Sequence, residues 1–302
     1  MQMQNRSTVD AIRLTNMLIT AQFIPISPKK EKASIKNRCV KEFSFWPAQL
    51  IPAVAAASRK APHALEVITH FIESLSSPFF SSTAFKHLLV MGDNVFVPQC
   101  RAFKHLFTKI RDKDTSPLEF RTYAKRIMSM ICEEGIAELN PASVDVTTPT
   151  GCVFNGERVD TSKIVVVSIV RAADSMLDCF LELVPEAAVG KILIQRNEET
   201  AEPQLFYDKL PPLAGKTVVL LDPMLATGGS ALCAVKVLLE QGAKIEDITF
   251  FNVVSCPEGL ARFAEEAPGL KVVTGCIDEK LNEQKYIVPG LGDYGDRFFN
   301  SV

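Results

Sequence analysis

An aspartate closing an apolar run, followed eight positions later by the end of a Thr-Gly-Gly-Ser turn, is the densest chemical signal in this 302-residue sequence. TVVLLDPMLATGGSALCAVKVLLEQGA reads as a buried strand ending at Asp222, a loop through Pro223, Met224, Leu225, Ala226, Thr227, Gly228, Gly229 and Ser230, and a helix with Leu232, Val235, Leu238 and Leu239 on one face. Glycines let backbone approach a ligand, successive N–H groups form a nest, and a helix N-terminus adds partial positive charge, all of which suits a phosphate. A carboxylate beside that cradle repels a second phosphate but accepts hydrogen bonds from ribose hydroxyls, so the expected ligand is a sugar phosphate. Taken alone, Thr-Gly-Gly-Ser also fits an ordinary helix cap. Nucleotide motifs fail on spacing: G-x-G-x-x-G is absent here, and AGKT at 214–217 precedes a strand, with Leu210 where a P-loop glycine would stand.

Two arginines and one glycine-rich stretch carry further chemistry. Arg171 follows the apolar run 164–170, and a charge at a strand end of an open α/β sheet lies at the ligand crevice. Its guanidinium matches a pair of diphosphate oxygens; the plain alternative is a surface arginine. Arg196, in QRNEET between two strands, is placed to swing a second positive charge onto a ligand, or is a solvated loop charge. YIVPGLGDYGDRFF holds three glycines and two aspartates, a density that bends backbone around a small flat ligand or builds a series of turns. All four histidines (His63, His70, His87, His105) precede residue 106, so the remainder cannot build a Cys/His zinc site or a Ser-His-Asp triad alone.

These residues need a sheet to position them. IVVVSIV at 164–170, a helix over 175–183, strands KILIQ, QLFYDKL and TVVLL, a helix over 230–241 and strand ITFFNVV alternate, and fully apolar strands separated by helices predict a parallel sheet covered on both faces. Two helices are expected upstream, with Phe120, Tyr123, Ile127, Met130 and Ile131 at helical spacing and Gly135 interrupting, and VTTPTGCVFNGERVD reads as a hairpin or arm of the kind that serves oligomer contacts. The 33 basic and 35 acidic residues lack the basic excess of a nucleic-acid binder, and no apolar run approaches the ~18 residues of a membrane span. Eight cysteines stand singly, without a C-x-x-C pair or a signal peptide, which fits reduced thiols in the cytoplasm. Residues 1–84 differ in composition; they are expected to be an extension, partly helical at 64–75, with a disordered start and a faint likeness to a transit peptide.

DPMLATGGS at 222–230 resembles the phosphoribosyl-pyrophosphate (PRPP) loop of the uracil phosphoribosyltransferases, and VTTPTG, SIVRAADSM, QRNEET, CPEGL and YIVPGLGDYGDRFF have counterparts there in the same order. The resemblance covers 85–302. It implies an α/β fold, a type I phosphoribosyltransferase-like doubly wound parallel sheet with a flexible hood and a β-arm. The implied reaction is pyrimidine salvage: uracil and PRPP give UMP and diphosphate, with Mg²⁺ carried by PRPP rather than by a protein metal site. By resemblance, Arg171 and Arg196 meet the pyrophosphate, residues 222–230 hold PRPP with Asp222 orienting the ribose, and backbone at Ile287, Gly292 and Tyr294 pairs with the uracil edge. Asp293 stands near the reacting centre on the phosphoribosyl side, which makes Arg171, Asp222 and Asp293 the implied catalytic set. Uracil and PRPP are the implied partners, with GTP a candidate activator and a homodimer or homotetramer the expected assembly; neither nucleic acid nor membrane is implied. The competing reading is a catalytically silent regulator on the same fold.

Three positions depart from the family pattern. Ala173 stands where the family usually has glycine; a positive φ there would cost ~1–2 kcal/mol. Asn300 also replaces a usual glycine, a mild change because Asn tolerates left-handed backbone. Tyr294 replaces a small residue common in bacterial relatives, and Asp174-Ser175 resembles the eukaryotic branch.

Overall fold

The computed structural model describes residues 94–196 and 203–301. The expectations for residues 1–84, and for the QRNEET loop beyond Arg196, lie outside them. The main sheet begins with β1 (Val95–Phe96), after which come helices α1 (Arg101–Arg111) and α2 (Pro117–Ala137). Ser116 caps α2 by accepting a hydrogen bond from the Glu119 N–H, with proline at the first helical position, and its hydroxyl donates to the Glu119 carboxylate. Gly135 does not interrupt this helix, because its bare Cα receives the Phe251 ring in the space a Cβ would fill. A separate antiparallel hairpin follows, β2 (Ala142–Thr147) and β3 (Val153–Arg158). It is the expected arm, begun earlier than its sequence shows, with Val153 69% and Phe154 59% exposed.

The sheet then takes β4 (Ile164–Val170), α3 (Asp174–Leu183), β5 (Ala188–Arg196), β6 (Pro203–Lys209), β7 (Thr217–Leu221), the short β8 (Met224–Leu225), α4 (Gly229–Glu240), β9 (Ile248–Ser255), α5 (Pro257–Glu266) and β10 (Lys271–Ile277). Its spatial order is β1-β10-β9-β7-β4-β5-β6, with β8 prolonging the pairing onto β9. Every pairing is parallel except that of β6, which runs antiparallel to β5. The β5–β6 hairpin reverses the chain directly, whereas parallel neighbours need a crossover helix. The strands β4, β7 and β9 are almost wholly buried, as their unbroken apolar sequences require.

Successive side chains of a strand face opposite sides. Phe250 therefore meets Phe263 of α5 edge-to-face, while Phe251 meets Phe180 of α3 and the glycine of α2. Helices α2 and α3 cover one face and α5 the other, which makes the sheet doubly wound. From β4 the chain crosses through α3 to β5 on one side; from β7 it crosses through α4 to β9 on the other. Ligand crevices open where strand order reverses in this way, beyond the carboxyl ends of β4 and β7, and Arg171 and Asp222 stand there. A small ladder, β11 (Lys280–Leu281) with β12 (Ile287–Val288), and the final helix α6 (Tyr294–Phe299) complete the crevice. No helix among the described residues is long and apolar enough to cross a membrane.

Candidate active site

The phosphate loop is built by pinning its carbonyls. Asp222 N–H donates to Phe251 O at 3.2 Å, and Pro223 O accepts from the N–H groups of Val253 and Val254 at 3.0 and 3.1 Å, so the loop leaves β7 still fastened to β9. Past Met224, three carbonyls turn toward Cys256 and α5. Leu225 O accepts from Cys256 N–H at 3.1 Å, Ala226 O from the Cys256 thiol at 3.0 Å, and Thr227 O from Arg262 Nη1 at 3.3 Å. In a planar trans peptide the N–H points opposite to the C=O. The N–H groups of Ala226, Thr227 and Gly228 are thereby aimed away from α5, beside the N-terminus of α4, which is an anion cradle. Gly228 makes the turn into α4 at φ +76, a left-handed conformation natural to glycine. Gly259 of α5 lets the loop sit down: a Cβ there would lie 2.5 Å from Ala226 O and 3.1 Å from Leu225 O. Burial pushes the Cys256 thiol up to about 12, so it serves as a neutral donor rather than a nucleophile.

Arg171 leaves β4 through a cis peptide bond after Val170. Its Nη2 pairs with Asp296 Oδ1 at 2.8 Å, and its guanidinium lies 5.4 Å from the centre of the Phe299 ring. Hydrogen bonding from Ser301, then from Arg171, holds the Asp296 carboxyl below its ordinary range. The turn behind Arg171 is fastened by Asp174, whose carboxylate accepts from Ser168 Oγ at 2.6 Å on β4 and from Lys191 Nζ at 3.1 Å on β5. Ser175 Oγ donates to Ala172 O at 2.7 Å. Ala173 has φ −70, ψ −14, ordinary right-handed backbone at the start of α3. The positive φ that would have penalised an alanine at this position is not adopted; the turn needs no left-handed residue.

The base loop, 287–293, departs from β12. Gly290 has φ +63, and a Cβ there would overlap Ile287 O, so glycine is required twice over. Ile287 is buried in β12, whereas Gly292, at φ +81, and Asp293 are exposed. The Asp293 carboxylate caps α6, accepting from Asp296 N–H at 2.9 Å. Tyr294 turns its ring into the core against Phe120 and Phe298, and its hydroxyl donates to Met128 Sδ at 3.0 Å and lies 3.1 Å from Ser175 Oγ. Burial raises the Tyr294 hydroxyl pKa well above the phenol range. The Tyr294 side chain is turned into the core, away from the crevice, and packs beside Ser175. Asn300 sits at φ 56, ψ 50, the left-handed conformation that its type tolerates.

The structure brings Arg171, Asp222 and Asp293 to one crevice. Arg171 and Asp222 follow adjacent parallel strands, and Arg171 and Asp293 flank the same residue: a Cβ on Gly295 would lie 3.6 Å from Arg171 Nη2 and 3.4 Å from Asp293 Oδ1. Arg196 ends β5 opposite Pro203, whose ring would be 3.6 Å from a Cβ on Gly229, so the base of the β5–β6 hairpin overhangs the start of α4. Among the described residues no group of three or more His, Cys, Asp or Glu side chains could hold a metal ion.

Sequence reasoning missed the supports. Cys256, Gly259 and Arg262 carry the phosphate loop; the CPEGL stretch contains the first two, and Arg262 lies beyond it. Arg111 and Asp278 form an ion pair across 167 positions behind the base loop, with no local pattern to announce it.

The family model for uracil phosphoribosyltransferase matches residues 97–301. The chain is 50% identical over 199 residues to a uracil phosphoribosyltransferase of Dictyostelium discoideum, covering 66% of this chain and 92% of that protein. It is 47% identical over 210 residues to uracil phosphoribosyltransferase 1 of Schizosaccharomyces pombe, covering 69% and 95%. Among solved structures, the AQ2163 protein of Aquifex aeolicus superposes with a TM-score of 0.60 at 36% identity, over 68% of this chain and 98% of that one. The family model spans more than half of this chain and the relatives are matched over nearly their whole length, so the chain belongs to the uracil phosphoribosyltransferase family.

Proposed function

We propose that the protein transfers the phosphoribosyl group of PRPP to N1 of uracil, giving UMP and diphosphate. The observation that carries this reading is the phosphate loop, with the Leu225, Ala226 and Thr227 carbonyls anchored on Cys256 and Arg262 and the N–H groups behind them turned toward the crevice. The anomeric carbon gains cationic character as diphosphate departs, so catalysis consists of stabilising the leaving group and aligning the acceptor. Residues 226–230 hold the 5′-phosphate. Asp222, half-buried at the end of β7, orients the ribose hydroxyls. Arg171 exchanges Asp296 for diphosphate oxygens, and Arg196 is carried toward them by the β5–β6 hairpin. Ile287, Gly292 and Tyr294 offer backbone groups to the uracil edge, and Asp293 faces the phosphoribosyl side.

Magnesium fits this site as a passenger on the diphosphate, since Mg²⁺ ordinarily keeps several waters and takes one or two carboxylates with substrate phosphates. Bound there, it would neutralise leaving-group charge, with Asp222 and Asp293 as the carboxylates within the crevice. The exposed Val146, Val153 and Phe154 of the arm support a homodimer or homotetramer. Cytoplasmic location rests on the unpaired cysteines, and GTP activation on the family resemblance. A spectrophotometric assay of UMP formation from uracil, PRPP and Mg²⁺ tests the central reading; no UMP would refute it. Light scattering and a GTP titration of the initial rate test the assembly and the activator.

A further inference from the structure

The ion pair between Arg111, the last residue of α1, and Asp278, just beyond β10, touches none of the residues assigned to a substrate, yet both partners end on the base loop. Arg111 Nη1 donates to Asp278 Oδ2 at 2.8 Å and to Gly290 O at 2.7 Å, while Nη2 donates to Asp278 Oδ1 at 2.6 Å and to Cys276 Sγ at 3.2 Å. Gly290 N–H in turn donates to Asp278 Oδ2 at 2.8 Å. One bidentate pair therefore holds both polar backbone atoms of a single glycine. We propose that Arg111 and Asp278 are positioning residues that set the choice of base by locking the Gly290 backbone, an inference that rests on the uracil-transfer reading above.

The lock decides which backbone atoms face the crevice. Arg297 Nη1 takes the next carbonyl, Leu291 O, at 2.5 Å, and Arg297 is itself tied to the end of α1 through Ile110 O and Asp112 O at 2.7 and 2.6 Å. Two consecutive carbonyls, at 290 and 291, are spent inside the molecule, and a base pairs only with loop atoms on either side, at Ile287 and from Gly292 onward. The turn between them is tight, because Ile287 O packs where a Cβ of Gly290 would be. A tilt of the Gly290 peptide is passed directly to Ile287 and Gly292. Asp278 is buried and Arg111 partly so; burial opposes the Arg111 charge, but pairing with Asp278 outweighs it, so the guanidinium stays charged. A 4-oxo and a 4-amino ring differ in one donor and acceptor, and discrimination between them depends on backbone partners that cannot shift to accommodate the wrong one.

The test uses the full chain with Asp278→Asn, Arg111→Met and Arg111→Lys, measuring kcat and KM for uracil, for cytosine and for PRPP. Asp278→Asn and Arg111→Met are expected to raise KM for uracil on the order of tenfold and to narrow the uracil-over-cytosine ratio of kcat/KM by a similar factor, with KM for PRPP within about twofold of wild type. Arg111→Lys keeps the charge and part of the bonding and is expected to fall between wild type and Arg111→Met; it also carries the test if the other variants do not fold. An unchanged uracil-over-cytosine ratio, whether kinetics are untouched or both substrates suffer equally, would make the pair a structural support and overturn the inference. A wild-type chain that forms no UMP would overturn the underlying reading and this inference with it.

Discussion

Arg171 is already paired with Asp296 and rests over Phe299, so under the proposed function it would meet a diphosphate as a pre-oriented donor. Charge-assisted bonds of this kind contribute ~1.5–3 kcal/mol, and Arg171→Ala is expected to weaken PRPP use by about one to two orders of magnitude, measured as kcat/KM for PRPP. Asp293 has two roles to separate, because its carboxylate also caps α6. Asn is as good an N-cap as Asp. Asp293→Asn should therefore keep the melting temperature within about 2 °C while lowering kcat, whereas a loss of stability without loss of kcat would reduce Asp293 to a cap. At this scale the sequence was legible where a residue type meets a local demand. Asn300 in left-handed backbone shows it, and so does Gly228 at the turn into α4. It left Ala173 open, because the backbone conformation of the turn after Arg171, which closes with Ala173 in right-handed geometry, is not written in the residue type.

Elements, rather than single side chains, shape the phosphate loop, and α5 is the shelf on which it rests. Gly259→Ala would drive a Cβ against Ala226 O and Leu225 O, backbone that cannot yield without moving the cradle. The expected outcome is a rise in KM for PRPP on the order of tenfold with the base preference unchanged, checked by titrating each substrate in turn. The strands that carry the site were plain from composition: IVVVSIV and TVVLL occupy β4 and β7 residue for residue. The reversed direction of β6 was not, since strand direction depends on its partner and nothing local records it. The first half of the arm also escaped, because Ala142–Thr147 is mostly exposed and lacks one apolar face for period-two patterning to mark. Arg111 and Asp278 escaped for a related reason: contacts between distant positions leave no signature in either neighbourhood.

At the scale of the whole molecule, the reversal of strand order between β4 and β7 sets Arg171 and Asp222 beyond the carboxyl ends of those strands, and the proposed function assigns the sugar phosphate to the sheet and the base to the segment after β10. Every residue given a substrate role lies between Arg171 and Tyr294, so a chain beginning near Phe85 is expected to retain kcat within about threefold per folded molecule. Turnover measured beside light scattering checks this, and a folded, soluble, inactive truncation would show that residues 1–84 complete the site. The central claim is that a fixed backbone loop reads uracil while the phosphate loop presents PRPP to it. The most direct test is the ratio of kcat/KM for uracil over cytosine in the full chain with PRPP and Mg²⁺. A ratio on the order of 10⁴ in favour of uracil is predicted, because the wrong ring leaves buried groups unpaired; comparable rates on the two bases would contradict the account.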